Sequence, residues 1–291
     1  MAEAIITADE DLDGASRQIV LDLCLRRSLE LGREALTEQA RRALRDGGAS
    51  LWHLRRFNEA ELVSYGLVTL HQGTLELELL GDDLDPSLLG AARSLSEAHQ
   101  SPLSIWTHGS TSLPDAPLAG YERVRVVDRL ERVLPASDPG AVPAGVSLRP
   151  FAVGRDEASF LHVNARSFAH HPDQGAMSLD DLRSREHESW FDAAGFLLAE
   201  SSKGLLGFCW TKIHDEPWSS VGEIYVIGVD PSASGLGLGR LLLRAGLAWM
   251  HQRGLAQAML YVEHDNEPAQ SLYRAEGFSL AWHDARFEPS I

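Results

Sequence analysis

Between Gly222 and Phe278 the sequence carries groups that could do chemistry: glycines at a helix start, a carboxylate on a strand and a phenol on a helix. GEIYVIGVDP alternates like a strand and is stopped by Asp230 and Pro231. SASGLGLGR follows, with Gly235, Gly237 and Gly239. A helix from about Leu238 to Arg253 is then expected, with Leu238, Leu241, Leu242, Ala245, Ala248 and Trp249 as its apolar stripe and Gly254 as its stop. Strand, glycine turn and helix start together make an anion site. The first helical turn has unpaired N–H groups and the positive end of the dipole, and glycines let the backbone approach a phosphate closely. No Lys-Ser/Thr follows the last glycine, as a Walker loop needs, and GLGLG lacks the GxGxxG register of a dinucleotide site. A pyrophosphate is therefore favoured over nucleotide hydrolysis or NAD binding, although a glycine-rich helix start alone also describes a plain loop.

The next stretch, AMLYVEHDN, reads as a strand ending in a helix cap, with Asp265 or Asn266 ahead of Pro268 in the first turn. The helix expected from Glu267 to Glu276 stops at Gly277 and brings Ala269 and Tyr273, four residues apart, onto one face.

Taken together, Ser234-x-x-Gly237-x-Gly239 and Asn266-x-x-Ala269-x-x-x-Tyr273-x-x-x-Gly277-Phe278 resemble the acetyl-CoA-binding core of the GCN5-related N-acetyltransferases. FAHHPDQG, GFCWTKIH, GEIYVIGVDP and LYVEHDN resemble more narrowly a tandem-domain branch of that family. The likeness is close over residues 146–291 and loose over 1–135, where TEQARRAL and IWTHG are the main echoes. The implied fold is α+β: two tandem acetyltransferase-type domains, each a mixed, mostly antiparallel sheet flanked by helices. In the second domain the parallel strands Glu223–Val229 and Ala258–Glu263 should splay apart.

The resemblance implies acetyl-CoA as co-substrate. Its pantetheine arm would pair with Ile227, Gly228 and Val229, and Gly228 fits a bulge that frees an N–H for the thioester carbonyl. Ser234, Gly235, Leu236, Gly237, Leu238, Gly239 and Arg240 would wrap the pyrophosphate. Asn266, Glu267, Pro268, Ala269, Gln270 and Ser271 would support the coenzyme from the next helix. Ser234 departs from the Gln or Arg usual there, which weakens coenzyme contacts at most. Glu223 would be the general base and Tyr273 the general acid. Transfer to an amine needs both, because an α-amine of pKa ~8 must lose a proton and the leaving thiolate benefits from gaining one. Read without the resemblance, Glu223 is a solvated strand charge and Tyr273 a packed helix aromatic.

The acceptor of that tandem branch is the cysteinyl amine of cysteinyl-glucosaminyl-inositol. Asp173, Lys212, Glu223 and Tyr261 would line its pocket, with Glu38 reaching in from the first domain. Asp173 stands where the family commonly has Glu. Lys212 and Lys203 are the lysines among 26 basic residues. Two other readings remain: an N-acetyltransferase for another small amine or a protein N-terminus, and a non-catalytic CoA-binding module.

The rest of the chain sets the frame. Its 291 residues suit one large or two modest domains, and LPASDPGAVPAG (Leu134–Gly145) reads as a linker. The expected division is a degenerate first domain over 1–135, a linker over 136–145 and a catalytic domain over 146–291. Helical sequence over Ser16–Asp46 and again over Glu157–Ser167 and Leu179–Trp190 leads into strands, so an internal duplication is plausible. Where the second half has SGLGLG, the first has GDDLDPSLLGAARS. Asp82, Asp83 and Asp85 would repel a diphosphate there, so the first domain is expected to be catalytically silent.

A net charge of −16 argues against nucleic acid or anionic membranes as partners. The acidic MAEAIITADEDLDG start and the absence of a long apolar run point to a cytoplasmic protein, expected as a monomer. Cys24 and Cys209 are too few for a disulfide framework. His170, His171 and Asp173 sit in a loop without helical ligand spacing, so no metal is expected; His162, His187 and His251 read as ordinary surface or helix residues.

Overall fold

The computed structural model describes residues 5–47, 50–80, 84–135, 138–169, 174–217 and 219–290. It divides into two compact units. Unit 1 is Met1–Arg129 with Glu263–Asp265 and Ala281–Ile291, and unit 2 is Leu130–Val262 with Asn266–Leu280. No described helix is long and apolar enough to cross a membrane.

Unit 1 begins with β1 (Ile5–Asp9), α1 (Gly14–Leu31) and α2 (Glu38–Asp46). The single helical run expected over Ser16–Asp46 is thus two helices. Gly32 ends α1 in the left-handed region (φ +64), and the Thr37 side chain caps α2 by accepting from the Ala40 N–H. Then follow β2 (Leu51–Asn58), β3 (Glu61–His71), β4 (Thr74–Leu79), α3 (Pro86–His99), β5 (Leu103–Ser110) and β6 (Tyr121–Val133). Strands β1 to β4 form an antiparallel meander, α3 crosses over to give a parallel β4–β5 pair, and the last strand of the chain, β12 (Ser279–Pro289), runs antiparallel to β5. Alternation along β3 fills both faces: Leu67 packs with Val20, Leu23 and Leu44 from the helices α1 and α2, while Val68 packs with Leu88 and Ala92 from α3.

Unit 2 repeats the order of helices, antiparallel strands, crossover helix and parallel strand. Its elements are β7 (Val146–Pro150), α4 (Glu157–Ser167), α5 (Leu179–Glu186), β8 (Phe196–Ser201), β9 (Gly204–Glu216), β10 (Ser219–Val229), α6 (Leu238–Gln252), β11 (Gln257–Glu263) and α7 (Glu267–Ala275). Strands β7 to β10 are antiparallel neighbours, and β10 meets β11 in parallel. Helices flank a mixed, mostly antiparallel sheet in each unit, as the sequence implied. The helix expected to reach Trp190 stops at Glu186, and Trp190 turns in to pack against Trp210 and Tyr225.

One core cluster of unit 2 is aromatic: Phe151, Phe196 and Trp210 stack face to face and Phe160 meets them edge-on. The other lies under α6, whose buried stripe is shifted from the expected one: Leu243, Leu247 and Met250 join Leu238, Leu241 and Leu242, while Ala245, Ala248 and Trp249 are only partly buried. Strands β6 and β12, rich in charge, were not expected from hydrophobic alternation. Each passes from one unit to the other along its length.

Gly246 is where α6 comes closest to the sheet. A Cβ there would stand 2.8 Å from Cys209 Sγ and 3.2 Å from Ile224 Cδ1. Gly246→Val should therefore destabilise the folded state by about 1–3 kcal/mol through overpacking. Urea unfolding reads this as a lower midpoint; an unchanged midpoint would show that the helix has room to move away.

Candidate active site

The site starts from a short pairing. The parallel ladder between β10 and β11 contains only Gly222↔Ala258 and Glu223↔Met259. Beyond Glu223, β10 continues in register with β9, through Ile227↔Cys209, Gly228↔Phe208 and Val229↔Gly207. The strands therefore splay as expected, and the β11-facing backbone edge of β10 after Glu223 has no ladder partner in β11 among the described residues. An extended amide chain could pair there. The register shift lies between Ile224 and Val226, so the expected bulge at Gly228 is corrected: the irregular residue is Tyr225. Gly228 stays in register because it is needed for close packing; a Cβ there would stand 2.8 Å from Phe208 Cζ and 3.1 Å from Ser167 Cβ.

β10 ends at Asp230, whose carboxylate accepts from the Ser232 N–H and hydroxyl and pairs with Arg166 through two bonds of 2.7 and 3.1 Å. These bonds fasten the turn Pro231–Ala233 that feeds the glycine loop. Ser234, Gly235, Leu236 and Gly237 are exposed, and Leu238 turns inward. Gly237 precedes the helix in the left-handed region (φ +73), where a side chain is strained, and α6 has no side-chain cap. The first intrahelical bond runs from Leu241 N–H to the Gly237 carbonyl. Among the described residues no side-chain cap holds the amides at this helix start, which fits an anion such as a diphosphate. At the next helix, Asn266 accepts from the Ala269 N–H at 3.2 Å, so the start of α7 is capped locally. Gln270 is buried on its inner face.

Glu223, at the fork of the two strands, is 7% exposed. Its Oε2 lies 2.6 Å from His214 Nε2, and its cross-strand partner is Lys212. Residues facing each other across an antiparallel pair share a sheet face, and so do residues two apart on one strand. Lys212, His214 and Glu223 therefore project together. The Lys212 ammonium sits 4.7 Å from the Trp190 ring centroid and 5.5 Å from that of Tyr225, where cation–π attraction supports a buried charge. Arg185 donates to the Tyr225 hydroxyl at 3.0 Å.

Tyr273, on α7, is buried in the apolar cluster that includes Cys209, Leu242 and Phe278. Burial raises its phenol well above the ordinary value, so it stays protonated. Burial also pushes the Cys209 thiol to about 12, and the Cys24 thiol likewise, so neither is a nucleophile.

Of the residues expected to meet the acceptor, Lys212 and Glu223 face each other across the ladder and Tyr261 is half exposed on β11. Glu38 opens α2 in unit 1 and pairs with Arg42 at 3.2 Å. Asp173, with His170 and His171, lies outside the described residues, as do Asp82 and Asp83. The sequence reading missed His214 and the Arg166–Asp230 pair. His214 was visible as the residue two beyond Lys212 in GFCWTKIH, a spacing that shares a strand face.

The corresponding crossover helix of unit 1 begins differently. Asp85 caps α3, accepting from the Ser87 N–H at 2.9 Å and the Leu88 N–H at 3.4 Å, and pairs with Arg56 at 2.5 Å. A side chain there already holds amides that α6 leaves open.

Comparison with known proteins shows the family and the fold. Residues 165–278 match the profile of the Acetyltransferase (GNAT) family. The chain is 50% identical to a mycothiol acetyltransferase of Thermomonospora curvata over 67% of this chain and 66% of that protein. It is 40% identical to a mycothiol acetyltransferase of Geodermatophilus obscurus over 98% of this chain and 100% of the relative. Among solved structures, a GCN5-related N-acetyltransferase from Sphaerobacter thermophilus superposes with TM-score 0.71 at 19% identity, covering 98% of this chain and 97% of that one. A tandem GNAT protein from the clavulanic acid biosynthesis pathway gives 0.70 at 18% identity, covering 98% of each. At such identities the structures show the fold.

The anchoring of the glycine loop has an acid signature. The hydrogen bonds from Arg166, then from Ser232, hold the Asp230 carboxyl below its ordinary range. A depressed carboxyl stabilises the fold above the unfolded-state value and loses that contribution as pH falls through the folded one. Asp230→Asn should accordingly lower the melting midpoint at pH 6, and the gap from the parent protein should shrink progressively below about pH 4. A gap that stays constant down to pH 2 would show that the pair does not stabilise the loop.

Proposed function

The chain belongs to the mycothiol acetyltransferases, a tandem-domain branch of the GNAT family, and from that premise we propose that it moves acetyl from acetyl-CoA to the cysteinyl amine of cysteinyl-glucosaminyl-inositol. That the chain is an acetyltransferase follows from its family; the acceptor and the residue roles are the proposal. The observation that carries it is the fork at Glu223, where a buried carboxylate beside His214 and opposite Lys212 stands at the mouth of the gap between β10 and β11.

Ile227, Gly228 and Val229 are proposed to pair with the pantetheine arm along the open edge of β10. Ser234 to Arg240 would hold the diphosphate on the uncapped start of α6, and Asn266 to Ser271 would support the coenzyme from α7. The coenzyme supplies an activated thioester. The chain supplies orientation and proton handling. Holding thioester and amine in contact removes most of the encounter entropy, so no covalent enzyme intermediate is needed. Glu223 takes a proton from the α-ammonium, directly or through water, leaving the nitrogen lone pair free to form the new C–N bond. As the C–S bond breaks, Tyr273 gives its phenolic proton to the departing sulfur, and the second proton shed by the newly acylated nitrogen passes through water to return Tyr273 to its neutral form. His214 fixes the Glu223 carboxylate by its 2.6 Å bond. Asp173, Lys212 and Tyr261 are proposed acceptor contacts, suited to a hydroxyl-rich amine.

The roles of the two halves are part of the same proposal. Residues 146–291 carry catalysis, 136–145 connect and 1–135 are silent. The Asp85 cap supports that division, since a carboxylate already occupies the helix start that a diphosphate would need.

The test is a thiol-release assay on the full chain with acetyl-CoA and a panel of amines. Cysteinyl-glucosaminyl-inositol should give the highest kcat/KM. Glu223→Gln and Tyr273→Phe should each lower kcat by about 10²-fold or more with coenzyme affinity retained, while Lys212→Ala should raise the acceptor KM. A different preferred amine with unchanged KM in the Lys212 variant overturns the acceptor. Unchanged turnover in both Glu223→Gln and Tyr273→Phe overturns the proton roles.

A further inference from the structure

A second cluster of ionisable side chains lies wholly in unit 1, apart from the residues assigned to acetyl transfer above. Asp128 lies late in β6, His264 follows directly on β11 and His283 is in the middle of β12. The imidazole Nδ1 of His283 stands 2.6 Å from Asp128 Oδ1, and that of His264 stands 2.9 Å from Oδ2 and 3.1 Å from Oδ1. The three donor atoms all lie within 4.8 Å of one another. Asp128 and His283 are buried and His264 is half exposed. The expectation of no metal was drawn from the loop histidines His170 and His171, and these residues are a different set.

We propose that Asp128, His264 and His283 bind one divalent transition-metal ion of the zinc class through Asp128 Oδ and the two Nδ1 atoms.

Two imidazoles and a carboxylate make a borderline nitrogen–oxygen donor set, which suits Zn²⁺ or Co²⁺ and not Mg²⁺ or Ca²⁺. Bonds of about 2.0–2.2 Å at tetrahedral angles separate two donors by about 3.3 Å. The observed separations, from 2.6 Å up to at most 4.8 Å, bracket that value. Both rings turn the same nitrogen toward the carboxylate, and they cross at 80° with centroids 5.6 Å apart, so the two Nδ1 atoms converge while the rings do not stack. The backbone also holds the donors. The His264 N–H donates to the Val126 carbonyl at 3.0 Å, two residues from Asp128 on the same strand. Asp128 adds the negative charge that a dication favours. Three protein ligands leave a fourth position for water, and the exposed side of His264 gives the ion a way in. Such an ion would tie segments 136 and 155 residues apart in sequence, so its binding would be coupled to the stability of unit 1.

The alternative is a hydrogen-bonded triad in which each imidazole donates an Nδ1–H to Asp128. The experiment separates the two. The full chain is stripped with EDTA, dialysed and titrated with Co²⁺, then with Zn²⁺. One equivalent of Co²⁺ should produce the visible absorption bands of a low-coordinate nitrogen–oxygen site, Zn²⁺ should displace them, and Zn²⁺ alone should raise the melting midpoint. His264→Ala, at a half-exposed position where folding is least at risk, should weaken binding by more than the 10- to 100-fold typical of losing an outer partner. Asp128→Asn keeps a hydrogen-bond acceptor but loses the anionic ligand, so it should also lose the Co²⁺ bands. The proposal is overturned if the parent chain gives no such bands at one equivalent, or if the folded His264→Ala chain binds the metal as tightly as the parent. It is likewise overturned if Zn²⁺ shifts the midpoints of both chains equally.

Discussion

Two parallel strands that hold each other for only two residues set the order of unit 2. A ladder continued past Glu223 would use the inner edge of β10 on β11, and no extended chain could enter. Because the pairing stops at Glu223↔Met259, the strand leans on β9 alone for the rest of its length. That arrangement needs a firm partner on the other side. The aromatic cluster under β8 and β9 and the leucine-rich face of α6 provide it, with Gly246 and Gly228 allowing the close approaches. The open edge is thus held in place by packing away from the gap, and the two requirements do not compete for the same residues.

The fork also fixes the electrostatics. A carboxylate buried as deeply as Glu223 is costly unless paired. His214 contacts it directly, and Lys212 faces it across the ladder with its ammonium over two aromatic rings. In the proposed role of Glu223, proton transfer from an ammonium substrate would take place within this network of partners. Tyr273 lies at the opposite extreme. It sits among apolar side chains that keep its phenol protonated.

Much of this was legible because it is local. The glycine loop, the helix it opens, the Asn266 cap and the position of Tyr273 depend on spacings within one or two turns, and the structure follows them closely. The splay of the strands came from family resemblance, since nothing in GEIYVIGVDP says where a ladder must stop. His214 needed a register between two strands before its distance to Glu223 had meaning. The break at Gly32 was written in a glycine and a Thr37 cap that a long helical period concealed. Strand β6 escaped because YERVRVVDRLERV mixes charges into its alternation. The Asp128 cluster was beyond any local reading, for its members meet across more than a hundred residues of chain.

The repeated order of elements gives a controlled comparison inside one chain. Both units send an antiparallel run of strands into a crossover helix and back to a parallel strand. They differ at the start of that helix. In unit 2 the helix is entered through Gly237 and is not capped by a side chain; in unit 1 Asp85 fills the same role and Arg56 compensates its charge. A capped helix gains local stability, by about 1 kcal/mol for a residue such as Asp, and gives up its affinity for external anions, because the same amides serve both. An uncapped one forgoes that stability and keeps the amides for a ligand. The fold permits either choice, so two such similar layers can differ in what they bind through which atoms satisfy a few backbone N–H groups.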